Sequence, residues 1–180
     1  MGKALIVVDM QKDFIDGSLG TKEAQSIVGN VNRKIEAYSD SEAENLIVFT
    51  QDTHYENYLE TQEGKNLPVE HCIHNSEGWK IGVGVTSDPD DIYAEIQLIQ
   101  KETFGFIDWS SIADFSKFES IELVGLCTDI CVVSNALILK ALYPEIPMIV
   151  DASCCAGVTP EKHLAALETM KSCQINVINE

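Results

Sequence analysis

The sequence predicts a three-layer α/β/α fold built on a mainly parallel, six-stranded sheet. Two observations carry that expectation. Short apolar runs rich in β-branched residues recur along the chain, and segments with apolar residues at helical spacing lie between them. Strands that alternate with helices belong to open sheets covered on both faces, with right-handed crossovers. The 180 residues, 45% hydrophobic and 23% charged, have the length and balance of one domain, expected over 1–180.

"KALIVVD" is a continuous apolar run, the pattern of a strand buried on both faces. "TKEAQSIVGNVNRKIEAYSD" follows with helical spacing through Ile27, Val31 and Ile35, and "NLIVFTQD" is a second buried strand. From Thr53 to about Asp91 the pattern is irregular, and a loop this long in a compact domain usually carries function. "AEIQLIQK" reads as the third strand. "DWSSIADFSKF" reads as a short helix with Asp108 at its N-cap. "SIELVGL" is the fourth strand, "DICVVSNALILKALY" a mostly buried helix and "PMIVDA" the fifth strand. "TPEKHLAALETMKSC" is a helix with Thr159 at the cap and Pro160 in the first turn, and "QINVIN" is the sixth strand.

The formal net charge of -17 comes from 12 basic and 29 acidic residues. Such a chain repels phosphate backbones and anionic lipid, which argues against nucleic-acid and membrane partners and leaves small neutral or cationic ligands. "MGKALIVVDM" lacks the pattern of a signal peptide, Ile6 breaks the myristoylation pattern, and no apolar run is long enough to span a bilayer. The expected location is the cytosol, where six cysteines are thiols. Cys154, Cys155 and Cys173 read as ordinary buried cysteines.

Ligands in open α/β sheets bind beyond the carboxyl ends of the strands. Polar residues at those ends are Asp9 after the first strand, Asp52, Thr53 and His54 after the second, Lys101 after the third and Cys131 after the fourth. Cys131 falls in the first turn of a helix, near a cap at Thr128 or Asp129, where backbone N–H groups and the helix dipole favour a thiolate. Cys127 falls at the strand end and contributes through its backbone. Two inert buried thiols are the competing reading; a disulfide conflicts with the compartment, and a metal clip lacks further soft ligands nearby. Lys101 and Asp9 read either as a salt bridge at the sheet edge or as a charge partner and a proton acceptor for the thiol. Asp13 is a rival for Asp9. Asp52 and His54 put two ligand-type side chains at a loop mouth, and His71 or His74 supplies a third; a solvated loop pair is the alternative.

These segments resemble the isochorismatase-like cysteine hydrolases, and among them the nicotinamidases. "IVVDMQKDF" resembles the opening aspartate motif, "QDTH" and "LPVEHCIHNSEGW" the metal segments, "QKETFGF" the lysine segment and "VGLCTDICV" the nucleophile motif. The matches run in the family's order over nearly the whole chain. The resemblance implies a catalytic triad of Asp9, Lys101 and Cys131. It implies one divalent metal, zinc first and iron or manganese next, held by Asp52, His54 and His71, with Glu63 preferred to Glu60 as a fourth contact. It further implies a non-proline cis peptide at Leu126–Cys127 and an oxyanion hole made by the backbone N–H groups of Cys127 and Cys131. Phe14, Phe104 and Phe106 are candidate substrate contacts, with plain core packing as the alternative. The implied activity is hydrolysis of nicotinamide to nicotinate and ammonia through a thioester on Cys131, a step of NAD salvage. A related hydrolase of another small amide or N-carbamoyl compound is the alternative, and a non-catalytic binding protein on the same fold is another. A homo-oligomer is compatible with all of them. "ETFGF" departs from many relatives in lacking Ser-Ala before the phenylalanine, and the metal loop is spaced differently.

Overall fold

A computed structural model describes residues 2–86 and 92–180; the far end of the long loop, 87–91, lies outside them. The six strands are β1 (Ala4–Val8), β2 (Leu46–Asp52), β3 (Glu95–Lys101), β4 (Ile121–Leu126), β5 (Met148–Ala156) and β6 (Asn176–Ile178), in the order β3-β2-β1-β4-β5-β6. Every neighbouring pair is parallel, so the sheet is parallel throughout. The chain builds outward from β1 through β2 to β3, then returns to β4 on the other side of β1. That reversal makes a topological switch point between β1 and β4, where doubly wound sheets open a crevice at their carboxyl ends.

Side chains alternate across each strand. Ala4, Ile6 and Val8 enter one core with Val48, Leu123, Leu139, Leu167 and Met170; Leu5 and Val7 enter the other with Ile27, Val31, Ile35, Ile47 and Phe49. Among the described residues the α-helices are α1 (Lys12–Ile15), α2 (Lys22–Ser39), α3 (Gln62–Asn66), α4 (Val133–Leu142) and α5 (Pro160–Ser172). The apolar stripe of α2 covers one face of the sheet, and α4 and α5 cover the other. Thr21 caps α2 by accepting the Ala24 N–H at 3.0 Å, and Thr159 caps α5 by accepting the Lys162 N–H at 3.3 Å, with Pro160 in the first turn. Among the described residues no helix is long and apolar enough to cross a membrane.

Four expectations need correction. Residues 108–118 form two 3₁₀ turns, Trp109–Ser111 and Phe115–Lys117, rather than one helix, and the Asp108 side chain makes no capping bond. The apolar residues there, Trp109, Ile112, Phe115 and Phe118, repeat every three positions, which matches the 3.0-residue turn better than the 3.6-residue one. The segment after β4 opens with a π-turn, Thr128–Val132, before α4 begins. Strand β5 continues through Ser153, Cys154 and Cys155 to Ala156. Cys154 and Cys155 are buried as expected, but Cys173 is exposed where α5 ends.

Gly125 decides where β4 delivers the chain. Its φ of 117° is open to glycine, it pairs with Val8, and the β4–β5 register shifts beside it. A Cβ there would stand 2.1 Å from the Val8 carbonyl oxygen. Gly125→Ala is therefore expected to cost on the order of 3 kcal/mol or more, seen as a thermal midpoint about 6–12 °C lower. A midpoint within 2 °C of wild type would contradict this reading.

Candidate active site

Asp9 leaves the end of β1 with φ of 45°, a left-handed conformation that aspartate tolerates better than most residues. Its Oδ1 accepts the Thr50 hydroxyl at 2.6 Å, and its own N–H donates to Thr50 Oγ1 at 3.2 Å. Lys101, the last residue of β3, places Nζ 2.6 Å from Asp9 Oδ2, an ion pair that lies off the line of an ideal hydrogen bond. The same ammonium sits 3.7 Å from Cys131 Sγ and 3.5 Å from Asp52 Oδ1. Three side chains remote in sequence thus meet at the switch point, all buried.

The charges are strongly tuned. Burial disfavours the Lys101 ammonium, but Asp9, Cys131 and Asp52 outweigh it and push its pKa up, so it stays charged. Burial lifts the Asp9 carboxyl above its usual range, with Lys101 opposing and Asp52 adding to the rise. Burial also pushes the Cys131 thiol well up, and the Asp9 charge and the hydrogen bond to it add to this against Lys101. The expectation of a resting thiolate is thereby corrected. Burial thus favours the neutral thiol at Cys131 and raises the basicity of the Asp9 carboxyl beside it. Helix dipole and ammonium do not overcome desolvation here.

Cys127 caps the π-turn, and its carbonyl accepts the N–H groups of Ile130 at 3.0 Å and Val132 at 3.1 Å. The peptide before it, Leu126–Cys127, is cis. With that carbonyl turned into the helix start, Cys127 contributes backbone to the turn, while burial pushes its own thiol up to about 12.

Asp52 ends β2, and His54 follows two residues on. His54 Nε2 lies 3.0 Å from Asp52 Oδ2, and His71 Nε2 lies 3.7 Å from the same oxygen. Glu63, in the first turn of α3, places Oε1 3.6 Å from both imidazole nitrogens. Thr61 caps that short helix by accepting the Gly64 N–H at 3.0 Å, which aims Glu63 inward; Glu60 is exposed. His74 turns away and stacks on Trp79 and Tyr55.

The donor set fits a divalent cation. With metal–ligand bonds of about 2.0–2.2 Å, neighbouring donors stand about 3.0–3.5 Å apart, close to the spacing seen. His71 Nδ1 is 2.8 Å from the Val69 carbonyl, which can only accept, so Nδ1 carries a proton and Nε2 is the nitrogen turned toward the cluster. His54 Nε2 is buried with no aligned hydrogen-bond partner. Burial disfavours an imidazolium at His54, yet Asp52 and Glu63 push its pKa up, and burial with Asp52 holds the Glu63 carboxyl up. The cluster is short of positive charge. His54→Ala is expected to weaken binding of zinc at least about 100-fold, measured by metal content after dialysis, while Cys131→Ala retains it. Equal metal content in wild type and His54→Ala would place the ion elsewhere.

Two residues that sequence reasoning undervalued build this cluster. Gln11 donates to the Asp52 carbonyl at 2.8 Å and accepts the Asp52 N–H at 2.7 Å. Asp13 accepts the Cys72 N–H at 2.8 Å, which fixes the loop next to His71. Asp13 is an anchor rather than a rival to Asp9. Both stand in "DMQKDF", and their place beside the opening aspartate was the available signal.

A cleft of about 370 Å³ opens on the cluster, lined by Thr53, His54, Tyr58, Glu63 and Glu102 among others. Phe14 packs its ring 5.4 Å from that of His71, Phe106 lies edge-on to Trp109 at 5.4 Å, and the Phe104 ring is largely exposed. A larger cleft of about 680 Å³ lies at the opposite end of the strands. Its buried carboxylates are paired: Lys34 Nζ is 2.6 Å from Glu122 and 2.7 Å from Asp151, and the Tyr38 hydroxyl donates to Glu122 at 2.7 Å. It reads as a structural ion network.

Fold and residues together define a hydrolase of the α/β class with a thiol at the carboxyl edge of its sheet. The chain belongs to the isochorismatase family: the Isochorismatase domain model matches residues 3–180. It is similar to the zinc-bound pyrazinamidase of Pyrococcus horikoshii, at 31% identity over 100% of both chains with a TM-score of 0.79. It also resembles the pyrazinamidase/nicotinamidase of Streptococcus mutans UA159, at 25% identity over 98% of this chain and 100% of that one with a TM-score of 0.82. A relative from Arabidopsis thaliana named a probable inactive nicotinamidase is 28% identical over 94% of this chain and 88% of its own.

Proposed function

We infer that this protein is a cysteine amidohydrolase acting on a small aromatic carboxamide, nicotinamide or pyrazinamide first. The observation that carries the reading is the meeting of Asp9, Lys101 and Cys131 beside the Asp52–His54–His71 cluster. Asp9 takes the thiol proton as Cys131 Sγ bonds to the amide carbon. The carbonyl oxygen becomes an oxyanion held by the N–H groups of Cys127 and Cys131. Asp9 returns its proton to the nitrogen, the C–N bond breaks, and ammonia leaves a thioester on Cys131. Asp9 then takes a proton from water, whose oxygen attacks the thioester carbon; the C–S bond breaks and the proton restores the thiol. Lys101 keeps its charge throughout and stabilises whichever of Asp9 or the sulfur is anionic. Asp52, His54 and His71, with Glu63 beside them, would hold a divalent ion, and the chemistry it would supply is a Lewis-acidic anchor for a ring nitrogen.

The test is ammonia release from nicotinamide and pyrazinamide by the metal-loaded protein. Release from N-carbamoyl compounds but from neither aromatic amide would transfer the activity to another small amide. The name of the Arabidopsis relative motivates a second reading, a non-catalytic protein on this fold. Absence of a thioester at Cys131 by mass spectrometry after rapid quenching, across the whole amide panel, would favour it.

A further inference from the structure

One buried amide joins the nucleophile turn to the segment that follows Lys101. Asn135 sits fully buried in α4, a mostly apolar helix. Its Nδ2 donates to the Cys131 carbonyl at 2.8 Å and to the Phe104 carbonyl at 3.2 Å. Its Oδ1 accepts the Phe106 N–H at 2.8 Å. Three of the four bonds open to an amide are made, and every partner is backbone.

Gly105 lies between the two bonded residues and touches the same helix. A Cβ on it would stand 2.5 Å from Ile138 Cδ1 and 3.3 Å from Ser134 Cβ. Residues 104–106 are thus drawn onto α4 by hydrogen bonds at either end and seated there by the missing side chain in the middle. The segment carries the Phe106 ring into the core cluster that also holds Cys131, and leaves the Phe104 ring largely exposed. Lys101, four residues upstream of Gly105, contacts the sulfur directly. An apolar residue at 135 would remove both bonds that tie Phe104 and Phe106 to α4 and leave the segment free to lift.

We propose that Asn135 is a positioning residue: it holds Phe104–Phe106 as the wall of the acyl pocket at a set distance from Cys131, and so determines which acyl groups the thiol reaches. The proposal rests on the hydrolase reading above and adds a specificity element to it. Asn135→Ala is expected to raise KM for the amide at least about ten-fold, with kcat changed less than about three-fold. Asn135→Asp keeps an acceptor for the Phe106 N–H and falls in between. Gly105→Val lifts the segment without touching Asn135 and reproduces the KM rise. Leu139→Ala, a buried truncation on the same helix, controls for lost stability and leaves KM within about two-fold. An unchanged KM in Asn135→Ala, or an equal rise in Leu139→Ala, overturns the proposal.

If the wild-type protein hydrolyses none of the amides, the hydrolase reading fails on its own, and the positioning role is read from alkylation. The ratio of Cys131 labelling by iodoacetamide to labelling by N-phenyl iodoacetamide is then measured by peptide mass spectrometry. A shift of about five-fold or more in Asn135→Ala, absent in Leu139→Ala, supports the role. An unshifted ratio overturns it.

Discussion

Cys131→Ala is expected to reduce amide hydrolysis to below about one thousandth of the wild-type rate while leaving fold and metal in place. Alanine cannot form the thioester, and water must then attack the amide itself, which is far less reactive than a thioester. Asp52 stands on β2, His54 in the loop after it and His71 in the loop after α3, elements apart from the turn that carries Cys131. The contrast is Cys127→Ala, which keeps the backbone N–H and should remain within about ten-fold of wild type. Ammonia release and metal analysis on both variants check the pair. Residual activity above a tenth in Cys131→Ala would end the thiol mechanism, and collapse of both variants alike would point to folding. The tuning of the sulfur adds a direct observable. Because burial and the Asp9 carboxylate raise the thiol's pKa, thiolate absorbance from Cys131 should be missing at neutral pH and emerge only above the ordinary thiol range.

Lys101→Met is the second large effect, and it falls on stability as well as activity. The ammonium is buried and lies within 3.5 Å of two carboxylates, Asp9 and Asp52. Removing one partner from a buried ion pair typically costs about 3–5 kcal/mol, because the remaining charge is left uncompensated. Asp9 escapes by binding a proton, since burial already raises its pKa and the opposing cation is gone. The sign follows from linkage. A carboxyl whose folded pKa exceeds its unfolded value favours the folded state at low pH, and that contribution is lost as pH rises through the folded value. The variant's stability deficit relative to wild type should therefore be smallest below about pH 4, the unfolded value, and grow as pH rises. Urea unfolding at several pH values measures it; a deficit independent of pH would mean that Asp9 does not carry the uncompensated charge. Activity should fall at least about 100-fold at neutral pH, because the cation that stabilises the developing thiolate is gone.

The sheet was legible because buried parallel strands leave a strong signature. "ALIVV" and "LIVF" admit no amphipathic helix of that length, and the strand ends then pointed to Asp9, His54, Lys101 and Cys131. The structure brings Asp9, Lys101 and Cys131 together, and places His54 with Asp52 and His71 in the adjoining cluster. What escaped reading has physical causes. Ser153, Cys154 and Cys155 are weak strand formers, so the end of β5 was set by pairing with β4, which sequence does not display. The three-residue period at 109–118 was read as an α-helix because both helix types place apolar residues at i and i+3. Asn135 was hidden as one of three polar letters in a mostly apolar helix; its partners, Phe104 and Phe106, are about 30 positions away and are contacted through backbone, which no side-chain pattern records. The thiol's raised pKa was misjudged because its depth of burial is a tertiary property. The shared motifs named the residues, but the balance of desolvation against charge needed coordinates.

Asp52 has two oxygens with two allegiances: Oδ1 faces the ammonium of Lys101 at 3.5 Å, and Oδ2 faces His54 Nε2 at 3.0 Å. One carboxylate is thus a shared ground for two centres, and thermodynamic reciprocity follows. Whatever factor a bound cation imposes on the affinity of the thiol centre for an acyl ligand, that ligand must impose in return on the affinity for the cation. Loading and acylation are two readings of a single coupling, and either can be used to weigh the other.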